Sequence, residues 1–248
     1  MLWISEIFYS IQGEGKFIGT PSVFLRVGGC NFQCQGFGVK ATKSGMNFLG
    51  CDSIYAANQA FKSEWKPYED SQKLISEIQA LQVDSKFDLI LTGGEPSLYF
   101  KNQTLLETIY YFLSHHHRVC VESNGSILFD FNSILSQLYF TLSIKLSNAK
   151  QKKSISIPAI QNILNHARDV SFKFVLNAEM CKNENAQKEI YSILSQISGS
   201  YEVYIMPQGT TPQELDQNIQ EILPLCLKYG YNLSDRLHIR IWGDKKGV

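Results

Sequence analysis

No run of 18 consecutive apolar residues occurs in this 248-residue sequence, although a membrane-spanning helix requires about that length. The first residues also lack a basic segment followed by an apolar core, so they predict no secretory signal. The 23 Lys and Arg residues balance the 23 Asp and Glu residues, and zero net charge argues against a polyanion-binding surface. We therefore expect a soluble, cytoplasmic protein that binds neither a membrane nor nucleic acid.

The sequence also lacks internal repeats, low-complexity tracts and a recognisable linker, so residues 1–248 are predicted to form one domain. Strand patterns alternate with helix patterns, which favours an α/β fold with parallel strands and right-handed crossovers. Glycine-bearing polar segments recur where these strands end, the edge at which parallel sheets bind ligands. The predicted strands are residues 2–9, 21–27, 87–91, 118–122, 138–144, 171–176, 201–206 and 237–242, and the predicted helices are residues 53–62, 71–82, 103–114, 131–137, 157–167, 185–197 and 212–229.

Cysteine is concentrated in one glycine-led loop, residues 28–53, which contains three of the six cysteines. Three residues separate Cys30 from Cys34, and sixteen separate Cys34 from Cys51. No histidine or fourth cysteine lies nearby in sequence to complete a tetrahedral zinc site. A four-iron cluster usually has four cysteine ligands, so three would leave one iron open to a small molecule. The spacing alone is compatible with zinc or with iron, whereas Cys120, inside a predicted strand, is predicted to be a core residue.

Polar side chains interrupt two segments before the cysteine loop. In Gln12-Gly13-Glu14, glycine lets the backbone approach a flat ligand while the amide and the carboxylate offer hydrogen-bonding groups. The alternative is a turn with exposed polar residues. Arg26 interrupts the apolar strand at residues 21–27, so its guanidinium needs an anionic partner. That partner is either a ligand carboxylate, bound by two parallel hydrogen bonds, or an acidic loop residue.

These motifs together resemble the radical S-adenosylmethionine superfamily, and within it the 7-carboxy-7-deazaguanine synthases of queuosine biosynthesis, a tRNA modification pathway. Residues 10–15 are similar to the most distinctive signature of the synthases. Residues 92–96 are similar to the superfamily's Gly-Gly-Glu-Pro strand end, and Cys51-Asp52-Ser53 resembles the synthases' Cys-Asp-Thr. The first cysteine gap fits the superfamily, whereas the second contains an insertion at residues 35–50.

The resemblance implies a 4Fe-4S cluster on Cys30, Cys34 and Cys51, with S-adenosylmethionine at the open iron and Mg²⁺ at the Ser53 hydroxyl. It implies no catalytic side chain, because the radical belongs to the cofactor. The implied substrate-binding residues are Gln12, Gly13, Glu14, Arg26, Thr92 and Val248. The implied cofactor-binding residues are Gly50, Cys51, Asp52, Gly94, Glu95, Ser143, Ile144, Lys145, Met206, Pro207, Gln208 and Gly209.

The resemblance also implies an overall fold and a reaction. The fold is a partial (β/α) barrel of about six parallel strands, of the radical S-adenosylmethionine type, with an early β-hairpin-like extension. The reaction converts 6-carboxy-5,6,7,8-tetrahydropterin to 7-carboxy-7-deazaguanine with loss of ammonia. The implied partners are the pterin substrate, an external reductant such as flavodoxin, and a second copy of the chain in a homodimer.

Two other functions compete with this interpretation. A radical activase would generate a glycyl radical on a partner protein, and it would lack the Gln12-Gly13-Glu14 signature. A non-enzymatic metal-binding module would have a closed metal site and would tolerate replacement of Gly93 or Gly94, which the strand-end pattern does not favour.

Overall fold

The computed structural model describes residues 1–81, 86–151, 155–245 and 247, with only the backbone of Asn183. Within these ranges the chain forms a nine-stranded sheet and a separate two-stranded hairpin. No helix in the described part of the chain is long and apolar enough to cross a membrane. The strands are β1 (Leu2–Ile11), β2 (Pro21–Val27), β3 (Val39–Lys43), β4 (Met46–Gly50), β5 (Lys66–Tyr68), β6 (Asp88–Gly93), β7 (Val119–Ser123), β8 (Tyr139–Leu142), β9 (Asp169–Leu176), β10 (Glu202–Pro207) and β11 (Asn232–Leu233).

The large sheet has the strand order β11-β10-β9-β8-β7-β6-β2-β1-β5. Each neighbouring pair from β2 to β11 is parallel. In contrast, β1 pairs antiparallel with β2 and with β5. These pairings confirm the predicted α/β class and the early hairpin-like extension. The described residues contain seven parallel strands rather than about six, because the two-residue β11 extends the edge beside β10.

The longer helices are amphipathic and bury an apolar stripe. They are α1 (Ile54–Ala57), α2 (Ser71–Gln79), α3 (Gln103–Ser114), α4 (Ile157–His166), α5 (Ala178–Cys181), α6 (Asn185–Leu194), α7 (Pro212–Tyr229) and α8 (Leu237–Trp242). Helix α2 shows the local cause, since the Asp70 side chain accepts a hydrogen bond from the Gln72 backbone at the helix start. Its buried residues Leu74, Ile75 and Ile78 recur at helical spacing and face the core.

Three predicted elements differ from the structure. Residues 237–242 were predicted as a strand because their apolar residues alternate, but they form α8, in which Ile239 is buried while Trp242 is partly exposed. The edge position beside β10 belongs instead to β11. Residues 131–137 contain only the short 3-10 turn Leu135–Gln137. The helix predicted at 53–62 is divided at Asn58, whose extended backbone separates α1 from a 3-10 turn.

Alternation along β2, β6 and β7 gives the sheet two different faces. One face packs against the main apolar core, which includes residues of α2, α3 and α4. On the other face Phe24, Ile90 and Cys120 form a separate apolar layer, with Phe24 opposite Ile90 and Ile90 opposite Cys120. Two residues further along these strands the same face presents polar side chains. This row above the apolar floor consists of Arg26, Thr92 and Glu122.

The connection between β1 and β2 crosses this inner face. The Phe17 ring packs edge-on against Tyr139, with 5.6 Å between ring centroids. Lys16 Nζ lies 2.9 Å from a carboxylate oxygen of Asp169 and 2.9 Å from one of Glu202. The Gly15 N–H donates to Ser234 Oγ at 2.7 Å. These contacts hold the preceding residues 12–14 over the middle of the sheet.

Candidate active site

A cavity of about 1260 Å³ lies where the inner polar row, residues 12–14 and the cysteine loop meet. Most of the residues singled out from the sequence form its wall. Those on the wall are Gln12, Gly13, Glu14, Arg26, Cys30, Cys34, Gly50, Cys51, Asp52, Ser53, Thr92, Gly94, Ser143, Lys145, Met206, Gln208 and Gly209. The structure therefore brings together segments that lie up to about 200 positions apart in the sequence.

Three of the predicted site residues that the structure describes do not lie on this wall. Glu95 is fully buried behind it, and Ile144 belongs to the main apolar core. Pro207 is buried at the end of β10. Val248 lies outside the described residues. The contacts predicted for these residues stay predictions, and for Glu95 the structure shows a different set of partners, described below.

Glu122 joins two of the predicted substrate-binding side chains. Gln12 Nε2 donates to Glu122 Oε1 at 3.2 Å, and Thr92 Oγ1 donates to Glu122 Oε2 at 2.7 Å. All three side chains come from elements that meet only in the folded chain. An amide, a hydroxyl and a carboxylate therefore converge on one side of the cavity, where they can exchange hydrogen bonds with a polar ring.

Glu14 is the centre of a buried charge network. Its carboxylate accepts a hydrogen bond from Lys173 Nζ and another from Arg236 Nε at 3.0 Å. His238 Nε2 lies 3.9 Å from the same carboxylate. Burial alone would raise the pKa of Glu14, but Lys173, Arg236 and His238 together hold this pKa well below its ordinary range. Glu14 is therefore ionised, and its negative charge balances two buried cations.

Four functional candidates were missed from the sequence: Glu122, Lys173, Arg236 and His238. Lys173 carried a usable signal, because it interrupts the apolar run Val170–Leu176 just as Arg26 interrupts β2. Glu122 lies at a strand end that was noted without a role. Arg236 and His238 flank the start of α8, a segment predicted as a strand, so their facing direction could not be derived.

Arg26 has a protein partner at the edge of the cavity. Its Nε donates to Glu6 Oε1 at 2.6 Å, and the Tyr55 hydroxyl donates to the same oxygen at 2.6 Å. Its Nη1 donates to Ser53 Oγ at 3.2 Å. The acidic partner weighed from the sequence is therefore present, although it comes from β1 rather than from a loop. Because Arg26 also lines the cavity, its position remains suited to a ligand carboxylate.

The three loop cysteines pack together. Cys30, Cys34 and Cys51 share a small apolar cluster with Phe32, Phe37 and Ala149. Burial raises the pKa of Cys30 to about 11, and it raises the pKa of Cys51 to about 12. The nearby Lys145 ammonium acts in the opposite direction on both thiols. Without a metal these thiols are thus neutral near pH 7, and bound cations would be needed to make them thiolates.

This donor set fits a multi-iron cluster better than a single ion. Among the described residues, no group of three or more His, Cys, Asp or Glu is close enough to hold one metal ion. A single zinc ion requires every sulfur at about 2.3 Å from one point. A four-iron cluster binds each cysteine at a different iron. It therefore suits three thiols that lie near one another but do not converge on a single point.

The insertion between Cys34 and Cys51 folds into the β3–β4 hairpin. Val39 pairs with Gly50 at the base of the hairpin, and a two-residue turn at Ser44 and Gly45, both with positive φ, reverses the chain. Near its base the chain touches the loop after β8, since a Cβ on Gly36 would lie 1.7 Å from the Asn148 carbonyl oxygen. Phe37, Val39, Phe48 and Leu49 line the cavity. The insertion therefore forms one wall of the site.

Glu95 ties the end of β6 to its neighbours. Its Oε1 accepts hydrogen bonds from Ser97 and from Ser123 Oγ at 2.8 Å, and its Oε2 accepts one from the Asn124 N–H at 2.7 Å. Its own N–H donates to the Gly29 carbonyl at 2.9 Å. The carboxylate thus joins the ends of β6 and β7, and the backbone joins β6 to the cysteine loop. In this structure Glu95 supports the cavity wall from behind.

Gly94→Ala is expected to displace the cysteine loop. A Cβ at this position would lie 1.8 Å from the Gly29 carbonyl oxygen and 3.0 Å from the Cys30 nitrogen. We expect a loss of about 1–3 kcal/mol in the free energy of unfolding, together with poor cluster incorporation after reconstitution. Gly19→Ala is the control for iron content, because a Cβ on Gly19, which unlike Gly94 has positive φ, meets nothing within 4 Å. Equal iron contents in the two variants would contradict this prediction.

Comparisons with known proteins show the family to which the chain belongs. A family described as a 4Fe-4S single cluster domain matches residues 11–164. The 7-carboxy-7-deazaguanine synthase of Halobacterium salinarum is 30% identical, over 97% of this chain and 90% of that protein. The chain belongs to the 7-carboxy-7-deazaguanine synthase family. Within this family, the synthase of Rhodopirellula baltica is 27% identical, over 100% of this chain and 89% of that protein.

A solved structure supports the fold expected for the 7-carboxy-7-deazaguanine synthase family. The crystal structure of QueE from Escherichia coli superposes with a TM-score of 0.64 at 18% identity, covering 96% of this chain and 94% of that chain. The predicted radical S-adenosylmethionine type of fold is therefore confirmed. The predicted enzyme class, the 4Fe-4S cluster and the use of S-adenosylmethionine are confirmed as well.

Proposed function

We propose that the protein converts 6-carboxy-5,6,7,8-tetrahydropterin to 7-carboxy-7-deazaguanine with loss of ammonia, in queuosine biosynthesis. The observation that carries the proposal is the convergence of Gln12, Thr92 and Glu122 on one side of a cavity whose other side holds three cysteines. The synthase names of the relatives support this reaction over a radical activase and over a non-enzymatic metal-binding module.

The pterin ring would bind along the inner polar row. Glu122 can accept hydrogen bonds from the ring N–H and amino groups, because ionised carboxylates are acceptors only. Gln12 and Thr92, which now donate to Glu122, would turn toward the ring carbonyl and nitrogens. Gly13 lies on the cavity wall, where its lack of a side chain lets a flat ring approach. Glu14, held by two cations, would fix the orientation of this segment.

The substrate carboxylate would bind between Arg26 and a magnesium ion. Ser53 Oγ lies 3.2 Å from Arg26 Nη1 and 3.3 Å from Asp52 Oδ1, so a hydroxyl and a carboxylate stand next to the guanidinium. Oxygen ligands of this kind, completed by water and substrate, are those that Mg²⁺ prefers. Arg26 would contribute charge and a fixed direction, since Glu6 already holds its Nε. We also keep the predicted contact of Val248 with the substrate as part of this proposal.

Cys30, Cys34 and Cys51 would hold the cluster, and the strand-end segments would hold S-adenosylmethionine across it. Gly93 and Gly94 keep that part of the wall free of side chains, and Ser143, Lys145, Met206, Gln208 and Gly209 lie around it. When bound, the reduced cluster and S-adenosylmethionine would supply radical chemistry at the substrate carbon bearing the carboxylate. The residues of the chain place that carbon and keep water away from it. An external one-electron reductant and a homodimer belong to the same proposal.

The test is anaerobic reconstitution with iron and sulfide, followed by incubation with S-adenosylmethionine, a reductant and 6-carboxy-5,6,7,8-tetrahydropterin. We expect 7-carboxy-7-deazaguanine by mass spectrometry, in amounts that depend on the pterin. Formation of 5′-deoxyadenosine without deazaguanine would leave the radical chemistry in place but refute the substrate assignment. Absence of both products from a preparation with full iron content would refute the proposed reaction as a whole.

A further inference from the structure

Arg236, at the start of α8, makes one hydrogen bond to each of three segments of the site. Its Nε donates to Glu14 Oε1 at 3.0 Å, and its Nη2 donates to Asp52 Oδ2 at 2.7 Å. Its Nη1 donates to the Gly209 carbonyl oxygen at 2.6 Å. The whole side chain is only 9% exposed. Every nitrogen of the guanidinium is therefore used, and each one binds a different part of the chain.

The three acceptors belong to segments with different proposed ligands. Glu14 is in the substrate-binding segment, and Gly209 follows β10 in the segment proposed to hold S-adenosylmethionine. Asp52 lies between the cluster ligand Cys51 and the proposed magnesium ligand Ser53. A planar guanidinium fixes the directions of its donors relative to one another, which an ammonium cannot do. The three hydrogen bonds of Arg236 therefore constrain the distances between these segments, rather than the position of any one segment.

Compared with Glu14, Asp52 depends more on Arg236 for its position. The Asp52 side chain is 54% exposed, whereas the Glu14 side chain is 13% exposed and has Lys173 as a second partner. Loss of Arg236 would thus leave Glu14 held by Lys173, whereas the corner of the cysteine loop that carries Cys51 and Ser53 would keep its contact with Arg26 but lose its link to the substrate-binding segment.

We propose that Arg236 is a positioning residue that sets the distance between the substrate-binding segment and the Cys51–Ser53 corner of the cluster loop. This inference rests on the proposed function. A shift of about 1 Å in such a site can cost about 100-fold in rate or affinity, even when the moved group does not react. The effect of losing Arg236 is therefore expected in substrate affinity and in the efficiency with which each radical is used.

The experiment compares Arg236→Lys and Arg236→Gln with the matched control Arg240→Gln. Arg240 lies four residues later and pairs with Asp235 and Asp216 at the surface, away from the cavity. We expect both Arg236 variants to raise KM for the pterin about 10- to 100-fold with a smaller change in kcat. They should also form more 5′-deoxyadenosine per deazaguanine than the wild type. The control should match the wild type in both measurements.

Two further measurements separate positioning from a general structural role. In the Arg236→Lys background, adding Asp52→Asn should change KM much less than it does in the wild type, because the pair acts as one unit. The electron paramagnetic resonance spectrum of the reduced cluster should change on adding S-adenosylmethionine in the wild type and less in Arg236→Gln. Additive effects of the two substitutions, or an Arg236→Lys variant equal to the wild type, would overturn the inference.

The spectroscopic measurement needs no pterin, so it stands even where the substrate assignment fails. If wild-type protein makes no deazaguanine but its cluster spectrum responds to S-adenosylmethionine, the proposed substrate is wrong while the role of Arg236 in the cluster loop is still measured. If Arg236→Gln does not fold, Arg236→Lys and Asp52→Asn decide, since the Asp52 side chain is 54% exposed and its replacement leaves Glu14 as an ionic partner of Arg236.

Discussion

Cys51→Ala is expected to lose the iron–sulfur cluster and, with it, all formation of 5′-deoxyadenosine and deazaguanine. Cys51 shares an apolar cluster with Cys30 and Cys34, although sixteen residues separate it from Cys34 in the sequence. Two remaining cysteines would hold at most two of the cluster irons, and the open iron for S-adenosylmethionine would no longer be unique. The measurement is iron content and visible absorbance after anaerobic reconstitution.

Cys120→Ala is the matched control for this experiment. Cys120 is also buried, but it packs with Phe24 and Ile90 on the floor of the inner face. Its replacement should reduce stability only modestly and leave the iron content unchanged. Full iron content in Cys51→Ala, or loss of iron in Cys120→Ala, would show that Cys51 is not the third ligand.

Glu14→Gln is expected to destabilise the protein before any ligand binds. The substitution removes the anion that balances the buried cations Lys173 and Arg236, whose side chains are 6% and 9% exposed. Removing one partner of a buried ion pair costs about 3–5 kcal/mol, because the other charge stays buried and uncompensated. Chemical denaturation of the cluster-free protein measures this loss. Glu184→Gln is the control, since its pair with Lys228 is exposed and should leave the unfolding midpoint almost unchanged.

The same substitution should change how stability depends on pH. In the folded wild type, Lys173 and Arg236 overcome the effect of burial and hold the pKa of Glu14 below its ordinary value of 4.5. The stabilisation is therefore complete above pH 4.5 and is lost as the pH falls below it, because only the unfolded chain takes up the proton readily. Glu14→Gln should be less stable at neutral pH and should have a shallower loss below pH 4.5.

His238 makes a second contribution to the pH dependence of stability, and this contribution is coupled to Glu14. Burial lowers the pKa of His238 below its ordinary value of 6.5, so folding also loses stability as the pH falls below 6.5. This loss should become larger in Glu14→Gln, since the Glu14 carboxylate raises the pKa of His238 and the substitution removes that effect. An unchanged acid limb in Glu14→Gln would mean that Glu14 does not titrate with folding.

The fold class and most residues of the cavity wall could be predicted from the sequence, for a physical reason. Continuous apolar runs in β2, β6 and β7 mark buried strands, so Arg26 and Thr92 could be assigned to strand ends from the sequence. The cysteine loop was located by its residue types. What the pattern could not give was pairing between distant charges, such as Glu14 with Arg236, 222 positions away. Arg236 and Lys173 were missed because their partners are defined only by the fold.

The hairpin could also have been derived from the sequence. Ser44-Gly45 lies between two short segments with strand-like character, and a two-residue turn of this kind is typical of a β-hairpin. The strand predicted at 237–242 was wrong for a different reason. Its alternation of apolar and polar residues is real, but β11 occupies the sheet edge beside β10. Local patterns therefore located elements well and failed where two segments compete for one place.

The β3–β4 hairpin lengthens the chain between Cys34 and Cys51 without moving the two ends of the insertion apart. Its first and last residues, Val39 and Gly50, are paired directly across from each other, so the chain returns to the point it left. With the hairpin left out, only six residues, 35–39 and Gly50, remain on the path from Cys34 to Cys51. The sequence spacing between two cluster ligands should therefore be counted without any hairpin that returns the chain to its starting point. A search that demands a fixed number of residues between cysteines would overlook this chain, although its fold brings the three loop cysteines together.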